Sequence, residues 1–341
     1  MKIDFVLPWV NNQDIDWQNS KKEYDLNQSS SDSNAVARYR DMGTLKYVLR
    51  SIEKNCPWYN KIYLITCGHY PEWLNLDSGK VVLVKHTDIY DNVSHLPTFN
   101  SSSIEMALPN ISELSDYFIY LNDDTLFFSP LEKERFFMDN LPVDFLNHGW
   151  IPRGKLFEKL VGKDTWVNSL NNNLTLINKH FSLSNLDSSK LYAKTYLFKN
   201  KLSNFLLKNV YKKYFWFEHW HHPIPYLKKT LLEVKEKCFD EMQICSANRF
   251  RHNTDLTQYL YRYWRLAKGE FFPCKYDDGF ETNIDSIEKL DKAIAICDST
   301  KPKFVCLNDS PSLSNEDFEI IKEKLLNYLS EYFPGKASFE L

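Results

Sequence analysis

A chain of 341 residues, 43% hydrophobic and 26% charged, suits one large domain or two ordinary ones and can bury a sizeable core. Its 42 Lys and Arg against 45 Asp and Glu leave a net charge of -3, which gives no overall case for nucleic-acid binding or for strong global attraction to a membrane, and allows only local patches. No apolar run is long enough for a membrane-spanning helix, and the opening Met1-Lys2-Ile3-Asp4-Phe5 carries a carboxylate inside an apolar stretch too short for a secretion signal, so the chain reads as cytoplasmic.

Taken in chain order, the first third alternates β-rich runs with helical patterns, the signature of a parallel sheet flanked by helices. Strands are predicted over 3–10, 61–66, 81–85 and 117–121. Between the first two, Leu45, Val48, Leu49 and Ile52 make an apolar helical stripe that stops before Pro57, giving a βα unit. Residues 25–34 include Ser29-Ser30-Ser31-Asp32-Ser33, have nothing to bury, and read as a surface loop. Residues 140–215 lack a clean period and read as a mostly helical insertion. This divides the chain into a Rossmann-like first half (1–139), the insertion, and a second half of the same domain (216–341). Helical patterns resume over 225–238 and 254–268, and 316–332 places Phe318, Ile321, Leu325 and Leu329 on one stripe, ended by Pro334-Gly335. The seven cysteines are odd in number and include no C-x-x-C pair, which argues against a disulfide framework or a cysteine zinc site and for buried thiols.

Five segments carry chemistry. Tyr117-Phe118-Ile119-Tyr120-Leu121 runs into Asn122-Asp123-Asp124, a strand ending in an amide and two carboxylates, where open α/β sheets bind ligands. Adjacent carboxylates repel, and a divalent cation that also bridges phosphates makes them tolerable; the competing reading is an Asx turn. A second apolar run, 303–307, ends in Asn308-Asp309, which suggests another wall of one site or a simple turn former. Asn100-Ser101-Ser102 leads to Glu105 at capping-box spacing from Ser102, so a helix starts near Ser103, with plain capping or an anion as the purpose of its free amides. His219, His221 and His222 crowd an aromatic setting, where a histidine can accept a hydroxyl proton or ligate zinc. Arg251, in RFRH before a helix, offers a planar fork that fits phosphate, or a solvated basic face. Carboxylates, a helix start, a base and an arginine are the recurring parts of phosphoryl transfer.

The segments IDFVLPWVNNQD, RYRDMGTLKYVLRSIEKNCPW, LPTFNSSSIE, FIYLNDD, RFRHNTD and KFVCLND stand in the order found in Stealth-type proteins. The chain resembles bacterial capsular and cell-wall polysaccharide phosphotransferases, relatives of the animal N-acetylglucosamine-1-phosphotransferase that marks lysosomal enzymes, with matching regions near 1–14, 36–130, 216–268 and 301–334. The resemblance implies an α/β, glycosyltransferase A-type Rossmann-like core. It implies transfer of a sugar 1-phosphate from a nucleotide-sugar donor to a glycan or lipid-linked oligosaccharide acceptor, with peripheral attachment at the inner membrane face. It puts Asp4, Asp124, His221 and Arg251 at the reacting centre, His221 because Pro223 completes a His-x-Pro pattern. Trp9, Asn11, Asn12, Arg38, Asn100, Ser101, Ser102, Glu105, His222 and Asn308 are then expected around the substrates, and Asp123, Asp124 and Asp309 around Mg2+ or Mn2+. Asn12 replaces the usual glycine after Trp-Val-Asn and is expected to keep the turn through a left-handed backbone. A metal-dependent glycosyltransferase and a non-catalytic polysaccharide-binding protein are the alternatives.

Overall fold

The computed structural model describes residues 1–25, 39–148, 165–218, 221–310 and 312–341. Its strands are β1 (Ile3–Pro8), β2 (Ile62–Thr66), β3 (Val81–Lys85), β4 (Tyr117–Tyr120), β5 (Thr125–Phe127), β6 (Phe137–Met138), β7 (Leu141–Asp144), β8 (Ile224–Leu227), β9 (Phe272–Pro273), β10 (Gly279–Ile284) and β11 (Phe304–Asp309). The main sheet has the order β3-β2-β1-β4-β8. Its first four strands are parallel, and β8 runs antiparallel to β4. The order 3-2-1-4 is that of the first half of a doubly wound fold, so the expected α/β architecture with a mostly parallel sheet holds.

Both faces of this sheet are covered. On β1, Ile3, Phe5 and Leu7 join one core and Val6 the other; on β4, Ile119 and Phe118 divide the same way. Period-two alternation therefore feeds two cores, and each large apolar side chain removed from water contributes about 1.5–3 kcal/mol. The helix Leu45–Asn55 buries Leu45, Val48, Leu49 and Ile52, the stripe read from the sequence. The helix Asn315–Tyr332 buries Phe318, Ile321, Leu325 and Leu329 on the same core.

Several parts depart from expectation, beginning with the helix Ile15–Asp25, which no apolar stripe announced. Residues 225–238 are not one helix: Ile224–Leu227 is an extended edge strand, where Pro225 removes no donor that the sheet interior needs, and the helix begins at Lys228. The helix expected over 254–268 spans Tyr259–Lys268. Within 140–215, β7 precedes the helices Thr165–His180 and Phe198–Leu206; the first of these packs on Tyr259–Lys268, whose Arg262 and Arg265 both bond Asp144 at the end of β7. A second sheet, β10-β11-β5, adjoins the first because β5 continues directly from the segment after β4. The loop expected over 25–34 lies, except for Asp25, outside the described residues.

Candidate active site

A cavity of about 400 Å³ opens at the carboxyl ends of β1, β2, β3 and β4, where the parallel sheet exposes its strand ends. Asn122, Asp123 and Asp124 leave β4 and line it, since the switch from β4 to β5 turns the chain away from the sheet there. β8 lies beside β4 in antiparallel register, Tyr120 against Ile224, so the residues just before β8 arrive at the same place. This brings His221 Nε2 to 2.9 Å from Asn122 Nδ2 and 3.5 Å from Asp124 Oδ1. Arg251 lines the same cavity, with Nη2 donating to Ser101 Oγ at 3.1 Å.

The electrostatics follow from this geometry. Burial alone would raise the Asp124 carboxyl, but the charge and hydrogen bond of His221 outweigh it and hold the group below the usual carboxylate range. Burial would lower His221, and Asp124, then Glu281 and Asp123, outweigh it and raise the imidazole above its ordinary value. Asp123 is pushed up to about 8 by burial, by the charge of Asp124 and by Asp41. Burial lowers His222 to about 4, with the Arg135 charge acting the same way. Two adjacent histidines thus differ in readiness to hold a proton because only His221 faces the paired carboxylates.

Asp124, His221 and Cys306 place ligand atoms within 4.8 Å of one another. Burial and the Asp124 charge keep the Cys306 thiol protonated, and its Sγ donates to Asn308 Oδ1. That leaves a donor set of oxygens and one imidazole. The Asp123–Asp124 pair, with Asp41 close by, would suit an oxygen-preferring divalent cation.

The other expected residues divide by position. Trp9, Ser101, Ser102, Glu105, His222 and Asp309 line the cavity. Both Asp309 oxygens are taken by Arg40, Nε to Oδ2 and Nη2 to Oδ1 at 2.8 Å each, so the structure gives this carboxylate to a guanidinium. Asp4 is not brought to the cavity. Wholly buried at the amino end of β1, it accepts from Asn60 Nδ2 and Lys61 N through one oxygen and from Ser115 N through the other, tying two loops to the strand. Asn100, also wholly buried, is the N-cap of the helix Ser101–Ala107 and donates to Asn248 O, Phe250 O and Asp255 Oδ2. The helix therefore starts two residues earlier than the capping-box spacing implied. Glu105 instead accepts from Gln258 N and Tyr120 OH, and burial raises it to about 7. Asn11 binds His69 Nε2 through its backbone amide and Gln13 N through Oδ1. Asn12 is not among the residues with positive φ, so the turn needs no left-handed residue there. Asn308 serves as the acceptor for Cys306. Arg38 and His219 lie outside the described residues.

Sequence reading missed Arg40, Asp41, Glu281 and Cys306. The first two stand inside RYRDMG, where a guanidinium and a carboxylate directly precede a helix; Glu281 and Cys306 carried no local signal, because they become neighbours only through the parallel β10–β11 register.

Family models for Stealth protein conserved regions 1, 2 and 4 match residues 1–29, 38–144 and 296–341. The chain is 36% identical to capsular polysaccharide phosphotransferase WcwK of Streptococcus pneumoniae over 99% of its own length and 98% of that protein. It is 32% identical to receptor polysaccharide phosphotransferase WefC of Streptococcus gordonii over 100% and 99%, and 30% identical to exopolysaccharide phosphotransferase cps2G of Lactiplantibacillus plantarum over 99% and 96%. Regions 1, 2 and 4 of the family contribute β1, the β4 end with Asp123 and Asp124, and β11, three of the walls just described. Matched in sequence from end to end and in these walls, the chain belongs to the Stealth family of polysaccharide phosphotransferases.

Proposed function

We propose that the protein transfers a sugar 1-phosphate from a nucleotide diphosphosugar to a hydroxyl of a glycan acceptor, in capsular or surface polysaccharide biosynthesis. The observation that carries this reading is the convergence of His221, Asp124 and Arg251 on one cavity from three distant chain segments. His221 accepts the acceptor hydroxyl proton. The freed oxygen forms a bond to the sugar-bearing phosphorus, the bond from that phosphorus to the bridging oxygen breaks, and the nucleoside monophosphate leaves. The bond between the anomeric carbon and its oxygen is untouched, so the sugar configuration is kept. Arg251 supplies charge for the phosphoryl oxygens, and Asp124 fixes the imidazole and raises its proton affinity. Mg2+ or Mn2+ held by Asp124 with Asp123 would supply charge neutralisation at the diphosphate. A lipid-linked oligosaccharide is the acceptor class that suits surface-polymer assembly.

Phosphorus NMR of the protein with candidate nucleotide sugars and acceptors tests this. The expected products are a phosphodiester and a nucleoside monophosphate. A nucleoside diphosphate would identify ordinary glycosyl transfer, and no nucleotide release with any pair would favour a binding protein.

A further inference from the structure

Residues 188–217 contain seven lysines and no aspartate or glutamate, in a chain whose net charge is -3. The helix Phe198–Leu206 lies within this tract. Its inner side is fixed to the body: Asn204 Nδ2 donates to Leu146 O and Leu191 O at 2.9 Å, and Leu207 just beyond the helix is wholly buried. The opposite side is apolar and open to water. Phe198 is 81% exposed, the highest value for a large hydrophobic among the described residues, and Leu202, Phe205 and Val210 are 49%, 51% and 63% exposed. With about 100° per residue, Phe198, Leu202, Phe205 and Leu206 form one stripe, and Lys199 and Lys201 fall on its two flanks. Lys194, Lys212 and Lys213 are exposed nearby, and no carboxylate of the described residues pairs with any of these five lysines.

An apolar stripe with aromatic residues, edged by lysines, has the composition of an element that lies in a membrane interface. We propose that this face seats on an anionic lipid bilayer, with Phe198, Leu202 and Phe205 entering the headgroup boundary and the lysines meeting lipid phosphates. A second copy of the chain is a poor occupant, because a twofold contact would set one unbalanced cationic tract against another. The inference does not rest on the proposed reaction.

The test is sedimentation of the full chain with vesicles of phosphatidylcholine containing about one-quarter phosphatidylglycerol, against phosphatidylcholine alone. Binding is expected only to the anionic vesicles and falls as salt rises. Phe198→Ser with Phe205→Ser lowers the affinity at least about tenfold, and Lys199→Gln with Lys201→Gln lowers it roughly fivefold per lysine. Both variants keep the parent circular dichroism and the parent melting temperature. Three results would overturn the proposal: no sedimentation with anionic vesicles, equal binding to both vesicle types, or parent-like binding by both variants. A dimer dissolved by the phenylalanine changes, without vesicle binding, would also overturn it in favour of self-association.

Discussion

Replacing Asp309 with alanine strands the Arg40 guanidinium. The two side chains are only 8% and 7% exposed and meet through two parallel bonds of 2.8 Å. Burial raises the Asp309 carboxyl more than Arg40 lowers it, so the intact pair adds little net stability. Removing Asp309 leaves the guanidinium with the Ser310 and Leu313 carbonyls and the Phe318 ring but no opposite charge, and breaking such a pair costs about 3–5 kcal/mol. With an unfolding entropy of roughly 2.1 cal/mol/K per residue, 341 residues give about 0.7 kcal/mol/K, so the melting temperature should drop by about 4–7 °C. Thermal unfolding followed by circular dichroism measures this. Arg40→Met alone should cost a similar amount, and Arg40→Met with Asp309→Leu much less than the sum, because the double change leaves no lone charge. A melting temperature of Asp309→Ala within about 1 °C of the parent, combined with weakened metal stimulation of turnover, would refute the ion-pair reasoning and return Asp309 to the ligand role suggested by its sequence context.

His221→Ala should lower kcat by about 10²- to 10⁴-fold with the donor KM little changed; near-parent kcat would remove His221 from the base role. The Glu340 carboxyl accepts from Arg50 and Ala337 N, and these partners hold it at about 2 against the opposing effect of burial. Its folded value lies below its unfolded one, so its contribution to stability is complete above about pH 4.5 and is lost as pH falls toward 2. Glu340→Gln should therefore destabilise the protein at pH 7 and converge with the parent near pH 2 in denaturant titrations; a pH-independent difference would contradict this. At Gly279 a Cβ would stand 2.4 Å from Phe304 Cε2 and 2.7 Å from His222 Cε1, so Gly279→Ala should destabilise the chain by about 1–3 kcal/mol and depress kcat by displacing the histidine segment. Parent-like stability and kcat together would show that β10 gives way freely.

Much of the main sheet was legible because its strands announce themselves locally. β1 to β4 are short β-rich runs with clear ends, and the helix before β2 shows its stripe in Leu45, Val48, Leu49 and Ile52. β8 was illegible for a tertiary reason: Ile224-Pro225-Tyr226-Leu227 has no period that separates a strand from a helix start, and it is extended because β4 offers it an edge. In the site, Asn122-Asp123-Asp124 stood out as an abrupt change of polarity at a strand end. The partners of Asp309 and Asp4 did not, since Arg40 lies 269 residues from Asp309 and Ser115 lies 111 residues from Asp4. Local pattern also misplaced the cap of the helix at Ser101, because Asn100 wins that position through bonds to a loop about 150 residues away.

The antiparallel pairing of β4 with β8 sets two reacting groups side by side although about a hundred residues separate them in the chain. Asp124 follows one strand and His221 precedes its neighbour, so strand pairing brings them together, and the bonds of His221 to Asn122 and Glu281 and of Thr44 to Asp123 O complete their placement. The stretch between them also bears on the site, for Trp166 lines the cavity and Asn172 and Asn173 donate to Asp255 O and Thr257 Oγ1. A chimera carrying another homologue's version, cut after Asp144 and rejoined before Glu218, would therefore exchange one wall of the cavity together with the surface outside it.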